Sequence, residues 1–269
     1  MLQISNAEYR KSDGISSTEL KKIAISPMHY RFWKDNPQED TPALLFGRAA
    51  HKYMLEKDDF FNEFAVAPNI NRRTNAGKEE WAKFVEDNKE KDVITQDDLD
   101  KAKAMYEVLY NTPFVDKLLG GKKELSFFWK DEETGVTCKC RPDCITTIGD
   151  TTVLLDYKTT DNADTNKFMN TAINLKYDLQ MAYYKDGLEA NGFHVDSVIF
   201  IAQEKSAPYC VNILEVSNEF LMSGTDMYKT YLNVYKECTE TNNWYGYVNG
   251  EVNSLGLPPW LQKMYEKGN

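Results

Sequence analysis

Arg141-Pro142-Asp143 and Asp156-Tyr157-Lys158, with twelve residues between the two aspartates, read as two strands folded back on each other. The runs on either side, Val136–Thr146 and Thr152–Lys158, are short and rich in Val, Ile and Thr, as strands are. Ile148-Gly149-Asp150 between them is a hairpin-turn signal. Side chains alternate along a strand, so Asp156 and Lys158 share one face and Tyr157 takes the other. The hairpin then brings Asp143, on the second strand, beside Asp156 on the third. Two carboxylates and one ammonium converge at the mouth of a small sheet. Each also has a plainer reading: Asp143 closing a turn, Asp156 a strand-end carboxylate, Lys158 solvated. The apolar run Val153-Leu154-Leu155 counts against that, because it puts the strand inside the protein, where terminal charges need a reason.

Such a pair of carboxylates suits a hard divalent ion, Mg²⁺ with Mn²⁺ able to substitute, held against a phosphate. The ion would stabilise charge on the phosphate oxygens and acidify a water, and the lysine would orient that water or stabilise the developing charge.

Working outward, Glu124–Lys130 reads as the first of three consecutive antiparallel strands, with turn residues Glu133-Thr134-Gly135 after it. A helix over about 175–190, strands at Ser197–Gln203 and Tyr209–Val216, and a long amphipathic helix over about 218–240 follow. Before the strands the chain reads as helical. Ser16-Ser17-Thr18-Glu19 is a capping box that starts a helix through Ile25. Ser26-Pro27 starts a second helix, ended by Asn36-Pro37, and Pro42 opens a third through Phe46, Ala50, His51 and Leu55. Asn69–Gly77, with Arg72 and Arg73, reads as a mobile basic loop, and helices follow at about 78–88 and 96–110. The expectation is an α/β fold with a mixed central sheet flanked by helices and a helical N-terminal lead-in. One domain is expected over 1–269: a mainly helical 1–120, a catalytic core 121–240 and an irregular aromatic tail 241–269.

The 269 residues, 42% hydrophobic, can bury a sizeable core. The polar start Met1–Lys11 has no apolar signal core, and no stretch reaches membrane-spanning length, so a cytoplasmic setting without membrane contact is expected. The five cysteines are odd in number and form no CxxC pair, which favours reduced thiols. A net charge of −10 argues against a protein that coats nucleic acid unselectively. Residues 20–52 nevertheless carry six Lys/Arg against three Asp/Glu, and residues 85–100 carry two against seven. That polarity is compatible with one DNA-facing side, and equally with ordinary solvated faces.

Asp143…Asp156-Tyr157-Lys158 matches the core motif of the PD-(D/E)XK nuclease superfamily, with its restriction-endonuclease-like core. Gly47-Arg48-Ala49-Ala50-His51 with Leu55-Glu56 resembles an upstream helix motif of the RecB-like and RecE-like branch. Tyr177-Asp178-Leu179-Gln180 with Tyr184 resembles its downstream Y-x-x-Q motif. Ile15-Ser16-Ser17-Thr18-Glu19-Leu20-Lys21 and Ser26-Pro27-Met28-His29-Tyr30 are similar to the opening of RecE-type (exonuclease VIII-like) domains, and Trp244-Tyr245-Gly246-Tyr247 fits as well. Each motif alone is weak; four in the right order are specific. The resemblance implies His51, Asp143 and Asp156 as metal ligands, the Tyr157 carbonyl as a further one, and Lys158 as the catalytic lysine. It implies that Glu124 helps a metal or its waters, against a surface strand-start role, and that Gln180 and Tyr184 support the site, against core-edge packing. His29 reads as a packing or DNA-facing residue and His194 as a structural one. Thr159 and Thr160 offer hydroxyls to a phosphate or to the following loop. Arg48, Lys52, Arg72, Arg73, Arg141 and Lys176 are candidate phosphate contacts, with a solvated surface the competing reading for each.

The same resemblance implies a 5′→3′ exonuclease on double-stranded DNA ends that leaves 3′ overhangs. It further implies a homo-oligomeric, tetrameric ring and a RecT-type single-strand annealing protein as partner, in a phage or prophage system. The alternatives are another nuclease of the superfamily, Cas4-like or an endonuclease, and a non-catalytic DNA-binding module on the same fold.

Overall fold

The computed structural model describes residues 1–37, 40–248, 250 and 252–267. The lead-in is helical: α1 (Asn6–Lys11), α2 (Ser17–Ile23), α3 (Pro27–Asp35) and α4 (Pro42–Leu55). A 3₁₀ turn (Lys57–Asp59) and α5 (Phe60–Glu63) lead to β1 (Phe64–Val66), α6 (Asn75–Asp87), β2 (Asp92–Ile94), α7 (Gln96–Asn111) and α8 (Val115–Leu118). The strands β3 (Lys122–Lys123), β4 (Phe127–Lys130), β5 (Thr137–Cys140), β6 (Cys144–Ile148) and β7 (Thr151–Thr160) come next. Then follow α9 (Thr165–Asn174), α10 (Tyr177–Glu189), β8 (Ser197–Glu204), β9 (Val211–Glu215), α11 (Asn218–Thr241) and α12 (Pro259–Lys267).

Among the described residues the main sheet runs β3-β6-β7-β8-β9. It is mixed: β7 and β8 are parallel, joined by a crossover through α9 and α10, while the other neighbours are antiparallel. Alternation along β7 divides the core. Val153, Leu155 and Tyr157 pack with α4 and α7 on one face, and Leu154 packs with α10 and α11 on the other. Burial on both faces explains the unbroken apolar run before Asp156. The mixed sheet and flanking helices match the expected α/β architecture.

Several expected elements come out differently. The strand read over 136–146 is two strands in two sheets: β5 pairs with β4, and β6 with β3 and β7. The break falls at Arg141-Pro142-Asp143, where Pro142 has no N–H for a ladder and a fixed φ. Asp143 therefore sits in the break and not on a strand. The three strands are accordingly not one antiparallel sheet. Glu124 lies not on a strand but in the link between β3 and β4, with a left-handed φ of 54°. The helix expected over about 175–190 is α10, which begins after Lys176 at φ 53°, while α9 before it is a further helix that the pattern did not show. The loop expected to reach Gly77 stops at Thr74, whose hydroxyl caps α6. The parallel ribbon β1–β2 and the short helices α1, α5, α8 and α12 add to what the pattern showed. Asn249 and Glu251 of the aromatic tail lie outside the described residues. Trp244, at its start, packs against Tyr30 and Tyr235.

Candidate active site

The break in the sheet builds one half of the site. Asp143, freed from a ladder, turns its carboxylate back on β7 and accepts the Tyr157 N–H at 2.7 Å. Its Oδ2 lies 3.0 Å from His51 Nε2. His51 comes from α4, whose Ala49, Ala50, Tyr53 and Met54 are buried in the core and whose His51 ring is one-third exposed, 6.2 Å from the Tyr157 ring. On the other side of His51, Nδ1 is 3.7 Å from Glu124 Oε1. Glu124 is itself held by Arg141 Nε at 2.6 Å, and Arg141 donates also to the Ile4 carbonyl at 2.9 Å.

The other half is buried. Asp156 is wholly inaccessible and forms a close ion pair with Lys158 two residues on. Gln180, from the second turn of α10, donates its Nε2 to Asp156 Oδ1 at 2.9 Å. Asp156 Oδ2 has the ammonium beside it but no aligned hydrogen bond.

Electrostatics separate the two carboxylates. Burial would raise the Asp143 pKa, but His51, Lys158 and the Tyr157 N–H outweigh it and hold it below the usual value. Burial wins at Asp156, which is pushed up to about 6 despite Lys158. Burial alone would lower the His51 pKa; Asp143 and Glu124 reverse that and lift it to about 9. A proton is thus drawn to the point where three ligand atoms meet. Among the described residues His51, Glu124 and Asp143 each offer such an atom, all within 4.8 Å of one another. Two hard carboxylates and an imidazole are a donor set that a divalent metal ion accepts. Asp156 is not in this group: its Oδ2 faces the Lys158 ammonium and its side chain is inaccessible. The residues fit a metal.

These residues open on a cleft of about 520 Å³, lined by His51, Glu124, Tyr157 and Lys158, with Asn6, Arg10, Gly47 and Thr159 around them. Arg48, Lys52 and Arg141 line it too, but each is tied to acid: Arg48 to Asp40 and Asp92, Lys52 to Glu56 and Glu63, and Arg141 to Glu124. Arg72 and Arg73 are exposed and outside the cleft lining; the Arg72 guanidinium lies over the Trp81 ring. Lys176 is half-buried at the α9–α10 joint and also outside the lining. Thr159 faces the cleft, whereas buried Thr160 bonds the Asn162 backbone and caps the following loop. Tyr184 packs at the edge of the core, with Asp156 and Asp143 near enough to raise its hydroxyl's pKa further after burial has done so. The His29 ring lies tilted 5.7 Å from that of Tyr247, and exposed His194 pairs with Asp196. Cys138, Cys140 and Cys144 are buried free thiols in β5 and β6.

Two features escaped the sequence reading. Lys21, on α2, reaches Gln180 behind Asp156, and it lies in a motif already singled out, without a role. Asn6 and Arg10 reach the cleft from α1, for which the Ser5…Glu8 capping box was the available signal.

Asp143 just before β6, and Asp156 and Lys158 within β7 of a mixed sheet, have the layout of a PD-(D/E)XK-type fold. The family described as "PDDEXK-like domain of unknown function (DUF3799)" matches residues 16–255, and the chain belongs to it. Its structure is similar to that of a "putative exonuclease" from Eubacterium rectale, with a TM-score of 0.63 at 15% identity, covering 98% of each chain; at that identity the likeness speaks for the fold. The structure of the protein SSO0001 is also similar, at 12% identity over 84% of this chain and 85% of its own, with a TM-score of 0.31 that carries no argument. A search of curated proteins finds no match.

Proposed function

We propose that this chain is a Mg²⁺-dependent exonuclease that removes the 5′-ended strand of linear double-stranded DNA and leaves 3′ overhangs. The observation that carries the metal-dependent nuclease reading is the His51–Glu124–Asp143 group, open to a cleft, with Lys158 at its edge. Bound Mg²⁺ or Mn²⁺ would supply Lewis acidity at the scissile phosphate. Lys158 then stands where its ammonium can orient a water or meet charge on the phosphate oxygens, and Asp156 holds that ammonium in place. The name of the Eubacterium rectale neighbour supports action at ends. Strand polarity rests on the likeness of the Ile15–Lys21 and Tyr177–Gln180 motifs to RecE-type enzymes, as do a tetrameric ring, a RecT-type annealing partner and work in the cytoplasm of a phage-bearing host.

The test is digestion of linear duplex labelled at the 5′ or the 3′ end, with Mg²⁺ or EDTA, beside a closed circular duplex. Early release of the 5′ label, only with Mg²⁺ and only from linear DNA, is the expected result. Early release of the 3′ label reverses the polarity. Equal cutting of the circle makes it an endonuclease, and inertness on every DNA makes it a binding module.

A further inference from the structure

We propose that Lys21 is a positioning residue of this site: its ammonium fixes the Gln180 amide with the oxygen turned to α2 and the nitrogen turned to Asp156. The inference rests on the nuclease reading and adds to it a residue that the core motif does not contain.

Gln180 is buried between two charged groups. Its Oε1 accepts from Lys21 Nζ at 2.8 Å and its Nε2 donates to Asp156 Oδ1 at 2.9 Å. An amide placed between an ammonium and a carboxylate has one acceptable orientation. Flipped, it would set oxygen against carboxylate oxygen and NH₂ against NH₃⁺, two repulsions in place of two charge-assisted bonds. Without Lys21 the Gln180 oxygen would be a buried acceptor left unpaired, which favours other side-chain positions. Lys21 and Lys158 also lie over the same Tyr177 ring, at 4.9 and 5.0 Å from its centroid, and Gln180 and Asp156 bridge the two ammonium groups. α2 is seated against α10 and α11, and its Leu20 is fully buried, so the Lys21 stem is carried on a fixed element. Lys21 does not line the cleft. It acts through Gln180 on Asp156, and through Asp156 on the lysine that faces the phosphate.

The experiment compares Lys21→Met, Lys21→Arg, Gln180→Met and the Lys21→Met/Gln180→Met double variant, each first checked for a cooperative thermal transition. Lys21→Gln replaces the Met variant if that one fails to fold. With linear duplex and Mg²⁺, Lys21→Met should lower kcat about 10- to 100-fold, the usual reach of a residue behind the ligands, with KM little changed. The double variant should be no slower than Gln180→Met, because both remove one interaction, and Lys21→Arg should retain most of the rate. In protein labelled with ¹⁵N-glutamine, hydrogen exchange of the Gln180 side-chain amide should quicken in Lys21→Met and stay slow in Lys21→Arg. Unaltered exchange in Lys21→Met, or a rate loss that multiplies fully onto that of Gln180→Met, would overturn the proposal. The exchange measurement needs no turnover, so a wild-type protein inert on DNA would sink the functional reading and leave the Lys21 assignment to be decided by exchange alone.

Discussion

Asp143 and Asp156 stand at the end of the same strand pair, yet they are held in opposite ways. Asp143 meets His51 and Glu124, which line a cleft, and burial at His51 is outweighed by these two carboxylates, which raise its proton affinity. Asp156 is closed off, matched by Lys158 and supported by Gln180, and its own proton affinity is raised. Environments that push two carboxylates apart in this way mark different tasks. The open half has two carboxylates against the one fixed cation, Arg141, and attracts another. The buried half already has its cation, Lys158, and holds it at the cleft. On the proposed function, metal affinity should therefore follow the first, and placement of Lys158 the second.

The sharpest way to break this division is to neutralise each carboxylate in turn. Asp143→Asn and Asp156→Asn should each lower Mg²⁺-dependent turnover by about a thousandfold, the effect of losing several kcal/mol of transition-state stabilisation. They should differ in calorimetric Mn²⁺ binding, which Asp143→Asn abolishes and Asp156→Asn merely weakens. Lys158→Ala should leave Mn²⁺ binding intact while turnover drops about 10²- to 10³-fold. Asparagine is preferable to alanine at 156, because a buried ammonium left without a partner costs about 3–5 kcal/mol of stability. Equal loss of Mn²⁺ binding in both Asn variants would merge the two halves into one ligand sphere.

The buried half was the more legible in sequence. Asp156, Lys158 and the apolar run before them sit on one strand with period-2 alternation, and Gln180 lies on a helix read within two residues of its true start. The open half is assembled from α4, the β3–β4 link and the β5–β6 break, and local pattern says little about such meetings. Pro142 was the signal that Val136–Thr146 could not be one strand; strand composition on both sides of it concealed the break. Glu124 was found as a residue but misplaced on a strand, because a left-handed φ at a non-glycine residue leaves no mark in the sequence. Arg48, Lys52 and Arg141 were read as phosphate contacts from charge alone, and the acidic partners that occupy them come from distant segments or the next helical turn.

A gentler test moves the buried half without touching a charge. Gly224 of α11 lies so close to α10 that a Cβ there would come within 2.1 Å of the Asp178 carbonyl oxygen. Gly224→Ala must displace α10, the helix that carries Gln180. Overpacking of this kind costs about 1–3 kcal/mol, to be read from the melting temperature. Turnover should fall about tenfold while Mn²⁺ binding at the His51 group stays unchanged. Parallel losses in turnover and metal affinity would show that α10 supports both halves alike.

The smallest effect concerns what the open half shows to DNA. The cations at its cleft differ in availability. Arg48, Lys52 and Arg141 are engaged by carboxylates, whereas Arg10, exposed on α1, forms no ion pair among the described residues. A phosphate meeting Arg48 or Lys52 must displace an existing partner; one meeting Arg10 displaces only water and counterions. Each phosphate contact contributes about 0.9 to the slope of log affinity against log salt. Measured with duplex DNA and Ca²⁺ in place of Mg²⁺, Arg10→Ala should lower that slope by close to one contact and weaken binding a few-fold. Arg73→Ala, at a residue outside the cleft, should leave the slope within error. A larger change for Arg73→Ala than for Arg10→Ala would move the DNA path away from the cleft and onto the face of α6.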